Sequence, residues 1–210
     1  MYLSKLLFDP LKRQVRKELA NRYELHRTLY AQFDGINKSD VGLLYRVEMG
    51  NPNQMEPILM LVQTQVEPDW QAMFEQGLLV ENAAVKQYQP VFTDGDIYHF
   101  KLLANPTVRR KDGDYAGKRV ALLTEEEQVG WLQRKARDSG FELLQLSHSD
   151  QGKLLSRKIA DGAEMTLTHQ AVLYVGALAV RDNTAFLQAY KKGIGSGKAF
   201  GFGLLSLARA

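Results

Sequence analysis

The hydrophobic pattern divides the chain into short alternating and periodic stretches. YLSKLLFD (2–9) predicts an opening strand. LKRQVRKELA (11–20) predicts a short helix with a basic outer face. NRYELHRTLYAQF (21–33) predicts a second helix, with Asn21 as N-cap and Glu24 three residues on in a capping-box pattern. On its helical wheel Leu25 and Leu29 share one side, and Tyr23, His26, Arg27 and Tyr30 share the other. Strands are expected at 42–49 and 57–65, and a short helix at 68–76 with Pro68 at its start.

Residues 77–95 are weakly patterned, and the domain boundary is expected there. The pattern resumes with a strand at 97–106 and a basic loop at 107–119, with turn signals at Asp112-Gly113 and Ala116-Gly117. A helix follows at 124–140. Thr124 caps it, Glu125, Glu126 and Glu127 fill its first turn, and Gly140 stops it. Strands are expected at 141–148, 153–160 and 165–178, the last two forming a hairpin that turns at Asp161-Gly162. A helix at 182–193 and a strand at 203–208 close the chain. Each half therefore reads roughly β-α-β-β-α-β, the ferredoxin-like order, in an α+β protein of two domains, 1–88 and 95–210.

Composition narrows the class. With 45% hydrophobic and 24% charged residues the 210-residue chain is expected to be an ordinary soluble protein. It has no cysteine, which removes disulfides, thiolate nucleophiles and cysteine-ligated zinc and fits a reducing cytoplasm. Lys5 and Asp9 interrupt any secretory signal core, and no apolar run approaches the length of a membrane span. The net charge is only +3, but it is unevenly spread. Residues 1–30 carry seven Lys/Arg against three Asp/Glu, 101–120 six against two, and 191–210 four against none. Residues 51–100 carry one against seven. Three basic segments suggest a face for a polyanion.

KKGIGSGKAFGFGLLSL (191–207) holds five glycines within eleven positions. It is not a P-loop, because Lys192 occupies the position that needs glycine and Ala199 follows Lys198. It also runs from helix to strand, the reverse of a P-loop or a dinucleotide fingerprint. A nucleotide-binding enzyme is therefore disfavoured. Lys198, Phe200, Gly201 and Phe202 partly echo the stacking strand of RNA-recognition domains, and a glycine-rich turn closing the sheet is the structural alternative.

The glycine run resembles the C-terminal loop of the repeat-associated CRISPR RNA-processing endoribonucleases. More narrowly it is similar to the CasE family, the processing subunit of type I-E Cascade. MYLSKL, YELHRTLY (23–30), LLANP (102–106), GKRVALLTEEEQVGWLQRK (117–135) and GIGSGKAFGFGLLSL (193–207) follow the family's order at similar spacing. The family often has Arg before ANP, where this chain has Leu103. The resemblance implies two tandem ferredoxin-like (RNA-recognition-type) domains that bind the hairpin of CRISPR repeat RNA. It implies cleavage at the 3′ base of the stem without metal or other cofactor, leaving a 2′,3′-cyclic phosphate. It further implies that the product is retained for assembly with other Cascade subunits.

Such cleavage uses the adjacent 2′-hydroxyl as nucleophile, so the protein must move protons and stabilise charge on phosphorus. Of His26, His99, His148 and His169, the second and fourth fall in strand patterns and read as structural, and His148 reads as surface. His26 stands in the YxxH spacing of the family's catalytic position, and its proton-transfer role is implied by that resemblance, as base or as acid. Tyr23 would orient or share the proton, and Arg27 would hold the scissile phosphate. Arg157 and Lys158 match the family's stem-contacting hairpin, although alternation puts them on opposite faces. Arg109, Arg110, Lys111, Lys118 and Arg119 form a second basic cluster expected to track the stem backbone. Gly193, Gly195, Gly197, Gly201 and Gly203, with Lys198, would pack against RNA backbone rather than cut it. The alternative reading is a hairpin-binding scaffold subunit that does not cleave.

Overall fold

A computed structural model describes residues 1–48, 56–112, 116–160 and 163–210. Two compact units emerge, one made of Met1–Gln89, Leu155–Leu167 and Lys198–Gly201, the other of the remaining chain.

The first unit opens with β1 (Tyr2–Phe8), α1 (Arg13–Ala20), α2 (Arg22–Tyr30) and α3 (Lys38–Val41). It continues with β2 (Leu44–Val47), β3 (Ile58–Thr64), α4 (Gln71–Glu75) and β4 (Ala84–Gln87). The sheet order is β2-β3-β1-β4, with every pairing antiparallel. β1 is a strand as expected, and it buries alternate positions: Ser4, Leu6 and Phe8 are buried, the last two in a core with Leu25, Leu29, Phe33, Met60 and Trp70. Burying Leu25 and Leu29 stabilises α2 on that core by about 1.5–3 kcal/mol per side chain and turns its other face outward.

The second unit runs β5 (Ile97–Ala104), β6 (Thr107–Arg109), β7 (Arg119–Ala121), α5 (Glu125–Asp138), β8 (Phe141–Ala160), β9 (Ala163–Val180), α6 (Asn183–Lys192) and β10 (Leu205–Arg209). Its main sheet has the order β10-β5-β9-β8. Numbered within each four-stranded sheet, both read 4-1-3-2, the ferredoxin-like order, so the α+β fold of two tandem ferredoxin-like domains is present. Phe92, Tyr98, Phe141, Phe186 and Tyr190 pack edge to face in the second core. Among the described residues no helix is long and apolar enough to cross a membrane.

The sequence reading and the fold differ at particular points. β4 lies in the stretch read as unpatterned. All four of its residues are exposed, so no apolar alternation announces it, and backbone pairing to β1 makes it a strand. The basic loop holds the β6–β7 hairpin. The two strands read at 141–148 and 153–160 are one strand, β8. Turn chemistry is present inside it, because Gly152 has φ +79° and its N–H donates to Asp150 Oδ1 at 2.7 Å. The strand nevertheless continues through this local kink, as the sheet overrides the turn signal. Gly113 and the turn read at Asp161-Gly162 lie outside the described residues.

Candidate active site and nucleic-acid interface

The outward face of α2 carries the first cluster. His26 is half-buried, and its ring meets the Tyr30 ring edge-on at 4.6 Å. Burial, helped by the nearby charge of Lys38, pushes the His26 pKa down from 6.5 to about 4. At neutral pH the imidazole is therefore uncharged and able to accept a proton. Lys38, at the start of α3, lies with its Nζ 5.5 Å from the Tyr30 ring centroid, and the Tyr30 hydroxyl donates to the Lys38 carbonyl at 3.3 Å. The sequence reading missed Lys38. A lone lysine twelve positions from His26 gives no signal until α3 folds back beside α2.

Arg27 is exposed and donates to Glu24 Oε2 at 3.0 Å. The capping box expected at Asn21 and Glu24 does not form, because the Asn21 side chain makes no cap hydrogen bond. Instead the Asn21 amide grips the backbone of Arg157. Its Nδ2 donates to the Arg157 carbonyl and its Oδ1 accepts from the Arg157 N–H, each at 3.0 Å. The side chain imitates one rung of a sheet ladder and needs both of its functional groups to do so. The grip brings the neighbouring Lys158 over Tyr23, with Nζ 5.8 Å from the ring centroid. Arg157 is exposed, Ser156 is buried, and Lys158 is half-buried. The structure thus brings Tyr23, His26, Arg27, Arg157 and Lys158 into one unit, together with Lys198.

The glycine run is built for tight turning. Gly193, Gly195, Gly197, Gly201 and Gly203 all have positive φ, from 75° to 91°. A Cβ on Gly201 would sit 3.1 Å from the Tyr45 ring, and one on Gly195 would sit 2.9 Å from Trp131. The buried Tyr45 hydroxyl donates to the Ala199 carbonyl at 3.0 Å. Lys198 opens the 3₁₀ turn Lys198–Phe200 between these glycines and is half-buried.

Arg109, Arg110, Lys118 and Arg119 belong to the other unit. They do not form one cluster. In the β6–β7 register Arg109 stands opposite Arg119 on the face shared with Thr107, whereas Arg110 and Lys118 alternate to the other face. Lys111 is exposed beyond the hairpin ladder. Of the other histidines, His169 lies against Phe202 at 5.8 Å and burial lowers its pKa. His148 stacks on Tyr174 at 6.2 Å. His99 is exposed on β5, so the strand pattern that marked it as structural does not bury it.

Comparison with known proteins places these features in context. A family model described as CRISPR associated protein matches residues 1–209. The CRISPR-associated endoribonuclease Cse3 of Thermus thermophilus is 39% identical, covering 99% of this chain and 100% of that protein. The CRISPR system Cascade subunit CasE of Escherichia coli K12 is 29% identical, covering 99% of each chain. A solved structure of CRISPR endoribonuclease Cse3 bound to a 19-nucleotide RNA superposes with a TM-score of 0.84 at 37% identity. It covers 99% of this chain and 100% of that one.

Proposed function

The chain belongs to the CasE family of CRISPR-associated proteins, and from that premise we propose that it is an endoribonuclease of CRISPR repeat RNA. It binds the repeat hairpin in precursor RNA and cuts at the 3′ base of the stem without metal. It keeps the product and delivers it to the other Cascade subunits. The similarity to a named endoribonuclease, to an RNA-bound structure and to a Cascade subunit supports this reading along the whole chain. The observation that carries it is His26, half-buried on the outward face of α2 against the Tyr30 ring and within reach of the Lys38 charge.

His26 acts as general base. It takes the proton of the 2′-hydroxyl, whose oxygen attacks phosphorus while the bond to the 5′-oxygen breaks. The strand ends in a 2′,3′-cyclic phosphate and the other product carries a 5′-hydroxyl. Tyr23 gives a proton to the departing 5′-oxygen, and proton exchange with solvent then returns Tyr23 and His26 to their starting forms. Arg27, Lys38 and Lys158 offset the negative charge that grows on the phosphate. Bound RNA draws Arg27 away from Glu24, an exchange that costs little because an exposed ion pair contributes at most about 1 kcal/mol. Arg157 contacts the stem, as do Arg110, Lys111 and Lys118. The glycine run with Lys198 approaches the RNA backbone. The domain 1–88 carries the cutting helix α2, and the domain 95–210 supplies Lys158 and most of the cations that hold the RNA. The enzyme works in the cytoplasm, where a chain without cysteine has nothing to oxidise to a disulfide.

The test is an end-labelled repeat RNA mixed with the protein in excess EDTA, beside His26→Ala. Cutting at the stem base by the unaltered protein alone is expected. Tight binding with no cutting by either protein would leave a hairpin-binding subunit in its place.

A further inference from the structure

The second unit contains a pocket of about 320 Å³ lined by Thr107, Arg109, Arg119, Lys135, Gly195 and Ser196 above the buried Trp131. Its lining has three cations and two hydroxyls and no carboxylate. The cations come from three elements, β6, β7 and α5, so they converge rather than follow one another along a strand. The hydroxyls of Thr107 and Ser196 stand 3.2 Å apart. Gly195, at φ +85°, runs against Trp131 where a Cβ would fall 2.9 Å from the indole. Any other residue there would disturb both the turn and the floor of the pocket.

The β6–β7 register makes the arrangement costly without a ligand. Arg109 and Arg119 are direct cross-strand partners, and like charges placed opposite each other weaken a hairpin. Lys135 Nζ lies 3.9 Å from Asp138 Oδ2, which is outside the pocket. A doubly hydrogen-bonding guanidinium pair with two hydroxyls matches a phosphate group in charge and in geometry.

We propose that this pocket binds one phosphodiester group of the bound RNA, held by Arg109 and Arg119 with Lys135, Thr107 and Ser196. The inference rests on the reading of the chain as an RNA-binding endoribonuclease and adds a discrete phosphate seat to it. It also divides the basic hairpin by function. The Arg109–Arg119 face grips one phosphate, and the Arg110–Lys118 face does not share it.

The two arginines should trade stability for binding. Arg119→Glu converts the like-charged pair into an opposite-charged one, so the RNA-free protein should melt at a higher temperature and bind RNA more weakly. Arg119→Lys keeps the charge but loses the fork, and Arg134→Ala removes a charge from the same helix as Lys135 outside the pocket. The decisive experiment is phosphate-ethylation interference on repeat RNA, with the full chain in the His26→Ala background so that RNA stays intact. It is run on the hairpin alone and on the hairpin with its flanking nucleotides, which tells a stem phosphate from a flanking one.

The expected result is one phosphate whose ethylation weakens binding to the parent protein and no longer matters in Arg109→Ala/Arg119→Ala. Affinity should fall about tenfold for each arginine lost, with a shallower salt dependence by about one phosphate. Arg134→Ala should leave the interference pattern intact. An identical pattern in parent and double variant would overturn the pocket while leaving the endoribonuclease reading in place. So would a lower melting temperature in Arg119→Glu accompanied by unchanged RNA affinity. Failure of the unaltered protein to bind or cut repeat RNA would overturn both.

Discussion

The starts of α2 and α5 carry the same sequence device and use it differently. At α5, Thr124 accepts from the Glu127 N–H at 3.3 Å and Glu127 reaches back to the N–H groups of Thr124 and Leu123. Those bonds hold the Glu127 carboxyl below its ordinary pKa. At α2, Asn21 and Glu24 stand at the same spacing, yet neither side chain caps the helix. Asn21 grips Arg157 and Glu24 holds Arg27. The α5 device ends in its own helix. The α2 device is diverted into arranging a candidate active site, which is where local rules are expected to give way.

The largest effect lies on the diverted side. His26→Ala should slow cleavage by about 10²–10⁴-fold with hairpin affinity retained, measured by single-turnover cutting beside filter binding. The pH profile sharpens this. Folding holds the His26 pKa at about 4 instead of 6.5. The rate constant for free enzyme should therefore stay level through neutral pH and fall only as the imidazole protonates near pH 4. The same depression means that the unfolded chain binds more protons than the folded one between those two values. Stability should rise with pH across that window, and His26→Gln should flatten the rise. A rate profile breaking near pH 6.5 would contradict the burial of this imidazole.

Next comes Asn21→Ala. It removes two hydrogen bonds of about 1 kcal/mol each from the Arg157 backbone and none from the helix. Repeat-RNA binding should weaken by about tenfold, whereas helix content by circular dichroism should not change. Asn21→Asp keeps the acceptor and loses the donor, so it should fall between. If Asn21→Asp matched the parent protein, Asn21 would be acting as an ordinary cap. On the other side of the comparison, Thr124→Ala should cost about 1 kcal/mol and lower the melting temperature by about 2–4 °C. Its cleavage rate at room temperature should be unchanged.

The contrast also marks what a single sequence discloses. The two βαββαβ units were legible because their strands and helices carry one-sided burial, as Leu6 and Phe8 do in β1 or Leu25 and Leu29 in α2. β4 was not, since four exposed residues leave no periodic trace. At the candidate site, the outward face of α2 followed from helical spacing, and the family resemblance singled out His26 on it. Lys38 and the Asn21–Arg157 grip were hidden, because both depend on contacts that only folding creates; the grip spans 136 positions. The basic run at 107–119 was visible as charge, but its division into two faces required the β6–β7 register.

The smallest effect separates the two glutamates. Glu127→Ala takes away a carboxylate that accepts from two backbone N–H groups at 3.1 and 3.3 Å. It should destabilise the protein measurably, read as a lower midpoint of chemical denaturation. Glu24→Ala removes only an ion pair whose partners are 43% and 66% exposed. Its stability should stay within about 0.5 kcal/mol of the parent. Because the substitution also frees Arg27 and deletes the negative charge beside it, repeat RNA should bind slightly more tightly, most visibly at low salt. Were Glu24→Ala to lose as much stability as Glu127→Ala, Glu24 would be capping α2 after all. The contrast between the two helix starts would then disappear.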